Sequence, residues 1–234
     1  MQLSSPQHHA AQFGPRHRSA AAAAPRRALV RARASATSSQ VESVKRELLE
    51  VVSRTGRGVS TSPADLRLIQ EAVAELRRAG ADSETTDPSQ SGTWELLWTS
   101  EKETLFILER APLFGTQTGA VYQVIDTTTS GSGSPSSPSS SGGGGSGFLQ
   151  NVITFPPEGA FIVDSSLAVA GRQRVEFGFT AAKLKLPGGR ALGLPPFGKG
   201  WFDNLYLDGE LRVSYDSRGD TLITRRAGPP RRFT

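Results

Sequence analysis

The sequence contains no cysteine, which excludes disulfides, thiolate metal sites and cysteine nucleophiles from all 234 residues. Histidine is almost as scarce, and His8, His9 and His17 are the only three. Without its N-terminal stretch the chain has no imidazole, so Ser-His-Asp triads, histidine zinc sites and imidazole acid–base chemistry fall away. We therefore expect no catalytic residue, no metal site, no cofactor and no enzyme. No apolar run is long enough to span a bilayer as a helix. Acidic residues are absent before Glu42, while residues 1–39 hold six arginines: Arg16, Arg18, Arg26, Arg27, Arg31 and Arg33. The rest of the chain sets 21 basic residues against 22 acidic ones, so the net charge of +5 belongs to the N-terminus. No basic field remains to grip a phosphate backbone, which argues against a nucleic-acid partner.

What is present divides into three parts. Residues 1–34 are rich in Ala, Ser and Arg and read as an unstructured plastid or mitochondrial transit peptide. Residues 40–226 carry the periodic patterns of one folded domain. A basic tail, 227–234, ends the chain. Val41, Val44, Leu48 and Val51 recur at helical spacing and predict an amphipathic helix over 40–53 that stops before Gly56. A second helix opens at Ser62 as cap with Pro63 behind it, shows Leu66, Ile69, Val73 and Leu76 on one face, and closes at Gly80.

From Gly92 the period changes to two. Trp94, Leu96 and Trp98 fall on one side and Thr93, Glu95, Leu97 and Thr99 on the other, and further strands are expected at 104–109, 119–126, 148–155, 160–170, 172–180, 182–186, 205–215 and 220–225. Many short strands joined by turns, with no helices between them, predict a mainly β fold: an antiparallel β-barrel with two N-terminal α-helices. Residues 127–147 hold only Ser, Thr, Gly and Pro and read as a disordered insertion between two strands. Residues 187–200 hold too much Pro and Gly for a strand, yet Leu192, Leu194 and Phe197 suit a segment lying against the barrel.

Several motifs dissolve on inspection. Gly193 to Lys199 spells the opening of a P-loop, but Pro195 and Pro196 lack the N–H groups that cradle phosphate and Gly200 replaces the metal-binding hydroxyl. Arg218-Gly219-Asp220 is expected to be a turn, Asp208-Gly209 a tight hairpin, and Glu101, Lys102 and Glu103 a solvated charge cluster. Gly92-Thr93-Trp94 is more telling. A glycine two residues before a tryptophan at the start of the first strand is how lipocalins begin, with the indole plugging the closed end; a packed core tryptophan is the alternative.

The chain resembles the plastid lipid-associated proteins, or fibrillins. The resemblance runs in order through Leu48–Glu50, Thr55–Gly58, Gly92–Glu103, Leu113–Thr116, Tyr122–Asp126, Asn151–Pro157, Leu194–Asp203 and Tyr206–Val213. It is most similar to the branch tied to plastoquinone formation, whose members pair with solanesyl diphosphate synthase. The resemblance implies a lipocalin-like fold, a location in chloroplast stroma, at thylakoids or on plastoglobules, and the binding of prenyl lipids such as plastoquinone, its precursors or carotenoid-like molecules. In place of the second lipocalin element stands Phe202-Asp203-Asn204-Leu205-Tyr206, with phenylalanine where threonine is usual. Strand parity makes Trp98, Phe161, Phe177 and Phe179 candidate ligand-lining residues, with Trp94 packing the base. If the protein is instead an adaptor for the synthase, helix 40–53 together with Leu194, Phe197 and Trp201 would form the docking surface. A structural coat on plastoglobules is the third reading.

Overall fold

Apolar spacing and capping place the first two helices. In the computed structural model, which describes residues 24–127, 146–186 and 188–234, helix α1 spans Ala24–Ser53 and α2 spans Pro63–Gly80. Residues 1–23 of the expected leader and nearly all of the expected insertion lie outside the described residues. The described residues up to Gln40 form one unit and those from Val41 onward a second. Helix α1 begins 16 residues before the expected start, so 24–34, read as unstructured leader, are helical; alanine and arginine are strong helix formers. In α2 the Ser62 hydroxyl accepts the Asp65 N–H at 3.1 Å, with Pro63 in the first turn.

Between the helices the chain reverses through Gly56, Arg57 and Gly58, all at positive φ. Gly58 is required there: at φ 114° any Cβ would stand 2.2 Å from the Thr99 carbonyl oxygen.

Nine strands follow: β1 (Gly92–Thr99), β2 (Val121–Asp126), β3 (Ser146–Phe155), β4 (Gly159–Val169), β5 (Arg174–Lys185), β6 (Ala191–Leu194), β7 (Lys199–Leu207), β8 (Leu211–Asp216) and β9 (Thr221–Gly228). They pair antiparallel in the order β4-β3-β2-β1-β9-β8-β7-β5-β6, and β4 also pairs with β5, so the sheet closes into a ring. Both β7 and β6 sit on the same edge of β5, at Arg174–Gly178 and Ala182–Lys185 respectively.

Several elements differ from expectation. Residues 104–109 are not a strand but part of helix α3 (Lys102–Arg110); a six-residue apolar-rich run is ambiguous between the two states, and length decides only when flanks are read too. The expected strands 172–180 and 182–186 are one strand, because the break between them is a bulge: Asp164 pairs with Ala181 and Ser165 with Phe179, leaving Thr180 extra. The expected strand 205–215 is two, folded at Asp208-Gly209 as the hairpin signal indicated. Asp208 Oδ1 accepts the N–H groups of Glu210 and Leu211 there, at 2.8 and 2.7 Å. Within 187–200, where no strand was expected, β6 forms at Ala191–Leu194. Phe202–Tyr206, which stands in place of the second lipocalin element, lies within strand β7, and Asp203 pairs with Arg174 through two 2.8 Å bonds.

The outer face of the ring is covered in two places. Leu48, Val51, Val52, Ile69 and Leu76 of the helices pack on Trp98, Leu211, Val213 and Ile223. Burial of each such side chain is worth about 1.5–3 kcal/mol. On the far side Phe233 stacks on Tyr122 with ring centroids 5.3 Å apart and exchanges two hydrogen bonds with Gln150, so the end of the basic tail is docked. Lys45, only 6% exposed, reaches Asp208 at 2.7 Å and Glu42 at 3.1 Å, joining α1 to the β7–β8 hairpin.

Candidate ligand cavity

Inside the ring, strand parity sends alternate residues inward, and bulges decide where the parity changes. On β1, Leu96 pairs with Thr224 but Trp98 with Ile223, so one residue is inserted and Leu97 and Trp98 both face the helices. Trp98, expected on the ligand-lining face, is thus packed outside, 4% exposed, its indole N–H donating to the Thr61 hydroxyl at 3.0 Å. On β4 and β5 the Thr180 bulge has the opposite effect. It carries the inward face from Phe179 to Ala182, opposite Val163, with Phe161 beside them on β4.

Two spaces that share lining residues open on the interior. The larger, about 410 Å³, lies among Leu96, Val121, Ile153, Phe161, Val163, Phe179 and Leu222. Helix α3 covers part of it with Thr104 and Ile107, and Leu194–Phe197 covers another part. The smaller, about 240 Å³, is more polar; Gln123, Asn151 and Phe179 belong to both, and Phe177, Phe202 and Ser214 to this one. Phe161 and Phe179 therefore stand on the main cavity wall. Phe177 sits deeper, stacked on Phe179 at 5.6 Å and tilted against Phe202 at 6.2 Å.

One end is filled. Trp94 is fully buried with Ile125, Leu149, Leu167, Val175 and Phe202, its N–H donated to the Gln90 carbonyl at 2.9 Å. The Arg226 guanidinium lies 4.2 Å from its ring centroid and that of Arg212 5.4 Å. Trp94 is therefore packed within this cluster and does not border either interior space.

At the other end, Arg218 in the β8–β9 turn holds Glu101 at 2.6 Å and Glu103 at 2.8 Å. Burial raises the Glu101 carboxyl above its ordinary value, although the Thr104 hydroxyl and Arg218 pull the other way. These charges are not the freely solvated cluster expected at 101–103. The partner lies 117 positions away, and no local signal announces it. Phe197 is 80% exposed and Leu194 37%, both on the rim. Trp201, grouped with them, is instead clamped under Arg174, whose guanidinium carbon lies 3.7 Å from a Trp201 ring centroid. The apolar face of residues 41–53 is used within the fold, so that helix offers no free docking stripe. Among the described residues no group of three acids or histidines could hold a metal. Asp203 and Asp208 are engaged by Arg174 and Lys45.

The antiparallel sheet closes into a ring with one packed end, one open end and a mostly apolar cavity wall. Residues 42–189 match the PAP_fibrillin family. The chain is also similar to probable plastid-lipid-associated protein 11, chloroplastic, of Arabidopsis thaliana, with 46% identity over 204 residues, 86% of this chain and 88% of the relative. No solved structure matches it significantly. The chain belongs to the PAP_fibrillin family of plastid lipid-associated proteins, and its place is the chloroplast.

Proposed function

We propose that the ring works as a lipocalin-like barrel that holds a prenyl lipid, plastoquinone or one of its precursors, without transforming it. The observation that carries this reading is the 410 Å³ cavity with aromatic and aliphatic walls, a size within the usual range for small-molecule sites. A long prenyl chain fits such a space only in part. The rest would leave across the rim, where Leu194 and Phe197 are already exposed. The absence of imidazole and thiol from residues 41–234 supports a binding rather than a catalytic role.

Organic extraction and mass spectrometry of the protein purified from its own chloroplasts tests this. Stoichiometric prenyl lipid is the expected result. Lipid-free protein that copurifies with a solanesyl diphosphate synthase would favour the adaptor reading instead, and lipid-free protein found only on plastoglobule surfaces would favour the coat.

A further inference from the structure

Beneath the apolar walls lies a cation without a counter-ion. Arg212, on β8, is fully buried, and among the described residues it makes no ion pair. Its neighbours are the rings of Trp94 and Phe202, at 5.4 and 5.6 Å, and two neutral carboxamides. One Nη donates to Asn204 Oδ1 at 3.3 Å, the other donates to Gln123 Oε1, and Nε has no partner. A buried charge paired only with dipoles is costly unless something else compensates it. Burial and the nearby Arg226 lower the Arg212 pKa to about 9, so the side chain is still charged at neutral pH.

That charge dictates the polarity of the cavity floor. Arginine has donors only, so Gln123 must turn its oxygen toward Arg212 and its NH₂ away. The NH₂ donates to Asn151 Oδ1 at 2.9 Å, which in turn leaves the Asn151 NH₂ as the outermost group. Gln123 and Asn151 border both interior spaces, and the Asn151 nitrogen has no protein partner among the described residues. The chain Arg212 to Gln123 to Asn151 is therefore a polarised relay ending in an unused donor, set among mostly apolar walls whose charged groups Glu101, Glu103 and Arg218 pair with one another at the mouth; hydrogen bonds are strengthened where water is excluded.

We propose that this floor recognises an sp² oxygen acceptor, a carbonyl or carboxylate, at the leading end of an apolar ligand, which enters head first and leaves its chain toward the mouth. This rests on the proposed reading of the cavity as a lipid site and adds which end of the lipid goes in and what chemistry that end must have. A hydrocarbon would fill the walls equally well but leave the Asn151 donor unmatched.

The test is calorimetric titration of the full-length protein with three probes of similar chain length: decyl-plastoquinone, dodecanoate and dodecylbenzene. We expect the better of the two oxygen-bearing probes to bind about tenfold more tightly than dodecylbenzene, as one buried hydrogen bond allows. Which of the two is preferred tells a carbonyl head from an acid head. Asn151→Leu, close in volume, and Gln123→Glu should each erase the preference while dodecylbenzene binding persists. Gln123→Glu supplies Arg212 with a carboxylate, so it should fold at least as stably as wild type and remains informative if Asn151→Leu does not fold. The carbonyl stretch of bound decyl-plastoquinone should shift to lower frequency in wild type and return in Gln123→Glu. Equal affinity for all three probes would overturn head recognition and leave the cavity reading intact. A preference that survives Gln123→Glu would also overturn it. Binding of none of the probes would overturn both.

Discussion

The two ends of the ring are built on opposite principles. At the closed end Trp94, Ile125, Leu149, Leu167, Val175 and Phe202 fill the space completely, and two arginines stand over the indole. At the open end the cover is a nine-residue helix, a short proline-containing segment and ion pairs from Arg218. One end has packing that any change in volume will disturb; the other has contacts that can part without disturbing the core. The difference separates stability from ligand traffic and assigns each to different residues.

The largest effect should come from the packed side. Trp94→Ala is expected to cost about 3–5 kcal/mol in urea unfolding, and Trp98→Ala a similar amount although it lies on the other face of the same strand. Only the first should alter the interior. If Trp98→Ala instead weakened ligand binding with little loss of stability, the bulge at Leu97 and the outward placement of Trp98 would be wrong.

That pair of tryptophans also shows what a sequence can and cannot reveal. Alternation along Gly92–Thr99 identifies a strand and marks Trp94 as buried, because every inward position of β1 up to Leu96 keeps the period. It cannot show the inserted residue at Leu97, since a bulge exists only relative to the partner strand, here the step from Thr224 to Ile223. The same holds for Thr180, where a bulge looks like a strand break. Helix α2 was legible to the residue at its start because its cap is local. Helix α3 was not, because Thr104–Leu108 has no apolar period long enough to choose. The cavity walls at Phe161 and Phe179 could be reached from parity. The floor could not: Arg212, Gln123 and Asn151 lie on three strands, and their meeting depends on ring closure.

A smaller effect should appear between helix and hairpin. Burial alone would raise Asp208, but Lys45, two backbone N–H groups and the Tyr206 hydroxyl hold it below the ordinary 3.8. Lys45, lowered by burial but raised more by Asp208 and Glu42, sits above the ordinary 10.5. The stability contributed by Asp208 is present above its unfolded value and lost as pH falls through the depressed one; that of Lys45 is present below 10.5 and lost as pH rises through the raised one. Lys45→Met should therefore cost about 1–2 kcal/mol at neutral pH and progressively less as the pH falls below about 4. A constant difference across that range would dissociate the pair from the stability.

Smallest in stability should be the mouth. Arg218→Ala removes three partly exposed ion pairs, to Glu101, Glu103 and, at 3.9 Å, Asp216, each worth about 0–1 kcal/mol. It should nevertheless speed ligand exchange, read by stopped-flow fluorescence, since it frees α3 from the β8–β9 turn. Unchanged exchange rates would mean that α3 is no cover at all.

The claim on which the rest depends is that the interior of the ring holds the ligand. Ala182 lies on the main cavity wall opposite Val163, where added volume takes up ligand space before it meets the packed end. The direct measurement is the affinity of the full-length protein and of Ala182→Phe for decyl-plastoquinone, by calorimetry, alongside urea midpoints for both. We predict saturable binding at one site in wild type, weakened about tenfold or more in Ala182→Phe, with midpoints that stay close. Equal affinity in the two proteins at equal stability would contradict an interior site.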